Sequence, residues 1–199
     1  MLKVYGDVWS GNCYKVKLAL TQLGLPYQWV PVDIMKNESR TPEFLAKNPN
    51  GRVPTLELDD GTCLAESNAI LWYLGEGTPL VPAPRFERAQ ALQWMFFEQY
   101  SHEPNIATSR YIIRYLGNPP ERREALAARV EPGYAALGVM EGHLKAREWF
   151  VGASYSIADI ALYAYTHCAG EGGFDLARFP AIRGWLARVK SQPSHATMG

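Results

Sequence analysis

Strand signals in this chain stop before residue 66, and from Phe86 onward every patterned stretch is helical. The chain is therefore expected to join an α/β domain to an all-α domain. The first domain is organised around Gly51-Arg-Val-Pro-Thr-Leu-Glu-Leu-Asp-Asp-Gly-Thr-Cys-Leu-Ala-Glu-Ser67. Two short apolar runs, 53–58 and 62–65, flank Asp59-Asp60-Gly61, an Asp-Gly turn with the positive φ that a tight hairpin requires. Pro54 stands at the entry to the first strand, where a missing N–H costs the ladder least. Ser67 is a candidate N-cap for a helix marked by Ile70, Leu71 and Leu74, and such a helix start attracts anions. A Val53-Pro54 edge facing the Glu66 carboxylate and the Ser67 hydroxyl is suited to gripping a small zwitterionic peptide.

Upstream, residues 2–5 read as a strand. Val16, Ala19, Leu20 and Leu23 mark a helix that Gly24 and Pro26 end. Residues 27–32 read as a second strand, with Pro31 hinting at a sheet edge. A βαβ crossover of this kind makes the two strands parallel. Thr41-Pro42 reads as an N-cap and first helical proline of a short helix ending near Lys47. The order over residues 1–77 is thus β-α-β-α-β-β-α, a small mixed sheet with helices on both faces.

Residues 78–84 hold three prolines and read as a linker. Residues 85–199 are expected to form the helical domain. The stretch 86–102 is apolar nearly all round, which predicts burial on several sides. Pro104 should kink or break it, and Pro132-Gly133 should bend the helix expected over 121–146. Ser156-Ile-Ala-Asp159 is a capping signal, with Tyr155 and Ile160 placed as a hydrophobic staple. A last helix spans 180–191.

The 20 basic and 20 acidic side chains cancel, so charge balance points to neither nucleic acid nor a membrane surface. No apolar run approaches the ~20 residues of a spanning helix, and the N-terminus reads as a strand rather than a signal peptide. Cys13, Cys63 and Cys168 lack metal-ligand spacing and leave one odd thiol, which fits a reduced, cytoplasmic setting; no bound metal or cofactor is expected. All three read as packed residues.

Taken in order, these motifs resemble the cytosolic-type glutathione transferases over essentially the whole chain. Val53-Pro54 and Glu66-Ser67 resemble the glutathione-holding part of that family's thioredoxin-like domain, and Ser156-x-x-Asp159 resembles the N-capping box of a central helix in its second domain. Tyr5-Gly-Asp-Val-Trp-Ser10-Gly-Asn-Cys-Tyr-Lys15 resembles the serine- and threonine-using, bacterial members (theta-, nu- and beta-like). A thioredoxin would carry Cys-x-x-Cys where this chain has Ser10-Gly-Asn-Cys13, so the attacking cysteine is missing and the reactive thiol must come with the ligand.

The resemblance implies a detoxifying transferase that uses glutathione as co-substrate against a small hydrophobic electrophile, and that works as a homodimer. Ser10 would donate its hydroxyl to the glutathione sulfur, with the Asn12 amide as second candidate. Glu66 would take the γ-glutamyl ammonium, Ser67 its carboxylate, and the Val53 backbone the cysteinyl segment, with a cis bond before Pro54. Arg52 or Arg40 would hold the glycyl carboxylate. Trp9, Phe97, Tyr100, His102, Tyr165 and His167 are candidate walls of an electrophile pocket between the domains, although most aromatics at helical spacing are core and a satisfied histidine is the commoner case. Two other readings stay open: glutathione-dependent reduction of peroxides or disulfides, and a non-catalytic ligand-binding protein of the same fold.

Overall fold

The computed structural model describes residues 1–199. The chain divides into two units, Met1–Thr78 together with Pro193–Gly199, and Pro79–Gln192. In the first unit, strands β1 (Leu2–Gly6), β2 (Tyr27–Pro31), β3 (Thr55–Glu57) and β4 (Cys63–Ala65) form one sheet in the order β2-β1-β3-β4. β1 and β2 are parallel, as their helical crossover requires; β3 runs antiparallel to both β1 and β4. Pro31 closes β2 at the sheet edge, where a lost N–H matters least. The hairpin between β3 and β4 turns on Gly61 at φ +85°, with Gly61 N–H donating to the Leu58 carbonyl at 3.0 Å.

Helices α1 (Gly11–Gln22), α2 (Pro42–Leu45) and α3 (Ser67–Gly75) complete the expected β-α-β-α-β-β-α order. Val4, Val16, Ala19, Leu20, Leu56, Ile70 and Leu71 form the fully buried core. Thr41 Oγ1 accepts from Phe44 N–H at 3.3 Å and so caps α2. Buried Glu57 on β3 is held by Lys3 Nζ at 2.7 Å, Lys47 Nζ and the Tyr5 hydroxyl at 2.8 Å. The two ammonium groups and the phenol pull its carboxyl down to about 2. The strand starts later than the apolar run implied: Val53 lies outside β3, joined to Pro54 by a cis peptide bond.

The second unit is helical throughout: α4 (Arg85–Phe97), α5 (Glu103–Arg110), α6 (Arg123–Leu144), α7 (Ile157–Thr166) and α8 (Pro180–Lys190). Pro104 does not break the path: it stands in the first turn of α5, where its missing N–H costs least. A π-helical turn, Glu98–His102, separates α4 from α5 and widens the coil just before the ring. The Asn105 amide donates back to the Ser101 carbonyl at 2.7 Å. The expectation that 86–102 is buried on several sides needs correction. Trp94, Met95, Glu98 and His102 are buried, whereas Phe86 and Phe96 are exposed and Tyr100 is 89% exposed. Val130 on α6 is exposed as well. Pro132 lies within a continuous α6, and the glycine after it answers to packing: a Cβ at Gly133 would sit 2.4 Å from the Phe174 ring.

α7 is buried along its whole length, and its capping box is formed. Ser156 Oγ accepts from Ala158 N–H at 3.3 Å, and Asp159 Oδ2 accepts from Ser156 N–H at 3.0 Å. Asp159 also accepts from the Ser156 hydroxyl at 3.1 Å, Phe150 N–H at 3.3 Å and Trp185 Nε1–H at 2.9 Å. Burial pushes this carboxyl up to about 6 against the pull of its donors. Helix α8 begins on Pro180 without a side-chain cap of its own, and Glu141 of α6 supplies one by accepting from Ala181 and Ile182 N–H at 3.2 and 3.0 Å.

Candidate functional site

The α1 start follows directly from local chemistry. Ser10 is its N-cap, with extended backbone (φ −75°, ψ 123°) and Oγ accepting from Cys13 N–H at 3.4 Å. Capping uses a lone pair, so the hydroxyl keeps its proton to donate. Ser10 is half-buried, and Trp9 just before it is 45% exposed. A capping serine and a thiol-facing serine are therefore compatible roles for one side chain.

The α3 start differs from the sequence expectation. Its N-cap is Glu66, at φ +67° and ψ 112°, and Ser67 is the first helical residue. A glutamate in that region is uncommon and costs backbone strain of about 1–3 kcal/mol, the kind of conformation that clusters at ligand sites. The bend leaves the Glu66 side chain exposed while Ser67 is buried. Relieved of capping, the Ser67 hydroxyl donates to Asn12 Oδ1 at 3.2 Å. A bond between residues 55 apart thus ties the two helix starts together, and Ser10, Asn12, Glu66 and Ser67 lie along them.

A residue that carried no role in the sequence reading completes the link. Lys15, one turn beyond Asn12 on α1, is fully buried, and its Nζ donates to Ser67 Oγ at 3.3 Å and to Asn68 Oδ1 at 3.5 Å. The available signal was a lysine between the core positions Tyr14 and Val16 of an otherwise apolar helix face. A second unforeseen feature is the return of the chain terminus to this unit. The Tyr14 hydroxyl donates to the Ala196 carbonyl at 2.7 Å, and Gly199 lies against the Trp9 ring.

The remaining candidates are placed as follows. Val53 is half-buried and outside the strand ladder, so the sheet uses neither its N–H nor its C=O. Arg52 is exposed; Arg40 is exposed too, but its Nη1 donates to the Asn50 carbonyl at 2.9 Å. In the helical unit, Phe97 is half-buried, edge-on to Trp94 at 5.2 Å. His102 is enclosed, with Nε2 2.9 Å from Thr166 Oγ1. Tyr165 is buried, and His167 is half-buried, stacked on Tyr163 with Nδ1 3.0 Å from that residue's carbonyl.

Two of the protein's three thiols, Cys13 and Cys168, are buried. Cys13 is buried against Gly6, and burial pushes its thiol up to about 12, outweighing the downward pull of Ser10. Burial likewise raises Cys168 to about 11. No group of three or more His, Cys, Asp or Glu side chains is arranged to hold a metal ion, and no helix is long and apolar enough to cross a membrane.

A thioredoxin-like sheet with a serine where a reactive cysteine would stand, joined to an all-helical unit, defines the class. Comparison with known proteins narrows it. Residues 9–76 match the glutathione S-transferase N-terminal domain, and residues 105–193 the glutathione S-transferase C-terminal domain. The glutathione S-transferase of Pseudomonas fluorescens shares 58% identity and superposes with a TM-score of 0.97 over 99% of this chain and 98% of its own. The disulfide-bond oxidoreductase YfcG of Escherichia coli is 31% identical across 92% of this chain and 87% of its own length. A glutathione transferase from Pseudomonas putida, crystallised with one glutathione disulfide per subunit, is 28% identical with a TM-score of 0.85 over 97% of this chain and 88% of its own. The chain belongs to the glutathione S-transferase family, whose named enzymes include these transferases.

Proposed function

We propose that this enzyme binds glutathione along the α1 and α3 starts and holds its sulfur as the thiolate, which attacks a small hydrophobic electrophile. The observation that carries the reading is the Ser10 hydroxyl: half-buried, at the N-terminus of a 12-residue helix, with its proton still available after capping. Free thiols ionise near pH 8.5, and lowering that by two units requires about 2.7 kcal/mol of preference for the anion. A hydrogen bond to a charged acceptor contributes about 1.5–3 kcal/mol, and a helix N-terminus about 0.3–1 kcal/mol. One hydroxyl and one helix start suffice. On this reading the chain is one of the serine-using members of the family.

The rest of the tripeptide is read onto the same frame. Glu66 takes the γ-glutamyl ammonium, Ser67 the adjoining carboxylate, and Val53 pairs its backbone with the cysteinyl segment in a one-residue strand addition. Arg52 is favoured for the glycyl carboxylate, since the Arg40 guanidinium already serves the Asn50 carbonyl. Trp9, exposed beside Ser10, is favoured for contact with the electrophile. Residues 78–84 are read as the linker between domains. Exposed Phe86, Phe96 and Tyr100 support a homodimer, which light scattering tests by mass; the neutral charge balance and unpaired cysteines support a cytoplasmic setting.

The test is Ser10→Ala assayed with a chloronitroarene and glutathione. A loss concentrated in kcat supports the role, because the bond is worth most to the anion; equal losses in kcat and glutathione affinity oppose it. The name of the Escherichia coli relative and the glutathione disulfide in the Pseudomonas putida structure favour a second reading, reduction of disulfides or hydroperoxides through the same thiolate. Turnover of hydroxyethyl disulfide or a hydroperoxide without arene conjugation selects it. Failure to be retained on a glutathione column would favour a non-catalytic protein over both.

A further inference from the structure

Lysine is among the side chains least often fully buried, because removing its charge from water is costly unless the site makes use of it. Lys15 is 0% exposed, and its ammonium points from α1 to the first turn of α3, onto Ser67 Oγ and Asn68 Oδ1. An ammonium donates and never accepts. Ser67 Oγ therefore receives from Lys15 on one side, and its single proton is directed to the other, where it meets Asn12 Oδ1 at 3.2 Å. The polarity of the chain Lys15 to Ser67 to Asn12 is set from its buried end.

Ser67 is also the group read above as the anchor of the γ-glutamyl carboxylate, and the inference rests on that reading. We propose that Lys15 is the positioning residue of the carboxylate subsite, its buried ammonium acting through Ser67 Oγ to make that hydroxyl an obligatory donor and the subsite selective for an anion. A carboxylate accepting from Ser67 stands one hydrogen bond in front of that oxygen, and Lys15 stands one behind it. Two hydrogen bonds in series leave the opposite charges roughly 6 Å apart, where attraction in a partly buried site amounts to about tenfold or more in affinity. Ser67 then turns its proton from Asn12 to the ligand, and the charge behind it is unchanged.

The experiment compares glutathione with its 4-aminobutyryl analogue, which lacks only the γ-glutamyl α-carboxylate and keeps the ammonium. Titration calorimetry is run on the wild type, Lys15→Met and Lys15→Gln, with thermal melts reporting folding. The wild type should prefer glutathione by tenfold or more. Lys15→Met should lose about tenfold in affinity for glutathione with little change for the analogue, so that the preference collapses. Lys15→Gln, which restores a donor without the charge, should behave like Lys15→Met and serves as the readout if the methionine variant fails to fold. Equal losses for both ligands, or an undiminished preference, would overturn the role of Lys15 and reduce it to packing. A wild type that does not discriminate between the ligands would instead remove Ser67 as the carboxylate anchor, before any lysine variant is made.

Discussion

Two serines in this protein occupy the same place in a helix and are used differently. Ser156, at the start of α7, is buried; its hydroxyl accepts from Ala158 N–H and donates to Asp159, so both halves of the group are consumed inside the fold. Ser10, at the start of α1, accepts a single long bond from Cys13 N–H and lies half-buried beside an exposed tryptophan. The capping position explains the presence of a hydroxyl in each. What separates the two is the proton that Ser10 has not donated within the fold and its partial exposure.

That contrast is sharpest where it predicts loss of stability in one region and loss of turnover in the other. Asp159→Ala strands the indole N–H of Trp185 and the donors of Ser156 and Phe150 in the core, and should lower unfolding free energy by about 3 kcal/mol or more in a urea titration. Ser10→Ala should leave the unfolding free energy within about 1 kcal/mol of wild type, yet slow turnover by roughly 10- to 150-fold, the equivalent of one hydrogen bond to a charged acceptor. Ser156→Ala should do the reverse, at a cost of about 1–2 kcal/mol in stability with catalysis per folded molecule unchanged. If Ser156→Ala slowed turnover as much as Ser10→Ala, the distinction between the two caps would fail.

Two buried carboxyls extend the comparison to pH. Glu57 in the sheet is drawn from 4.5 down to about 2 by Lys3, Lys47 and Tyr5, so its stabilisation is complete above pH 4.5 and is lost as the pH falls toward 2. Asp159 in the helical unit is raised by burial from 3.8 to about 6, so its effect runs the other way: present below pH 3.8 and lost as the pH rises through 6. Urea midpoints measured against pH should lose their acid-side fall in Glu57→Gln and their decline between 3.8 and 6 in Asp159→Asn.

Most of the frame was legible because its determinants are local. The Asp-Gly hairpin, the Thr41-Pro42 helix start, the Ser156–Asp159 box and the parallel pairing of the first two strands each follow from a few neighbouring residues. The site was legible in part. Ser10 stands at the α1 start, but Ser67 yields its expected cap position to a strained Glu66, and no local pattern shows that strain. The bond from Lys15 to Ser67 spans 52 residues, and that from Tyr14 to Ala196 spans 182, so only the fold brings them together. Apolar residues at helical spacing misled for a related reason: Phe86, Phe96 and Tyr100 on and beyond α4 are exposed in the single chain, and periodicity does not say what covers a face.

The central claim is that the fold lends a proton donor to a sulfur brought by the ligand. Titrating the ultraviolet absorbance of bound glutathione's thiolate, in wild type and in Ser10→Ala, tests it most directly. The account predicts a wild-type midpoint about two units below the free thiol's 8.5, returning most of the way in the variant. Bound thiol that ionises in the wild type no more readily than in water would contradict it.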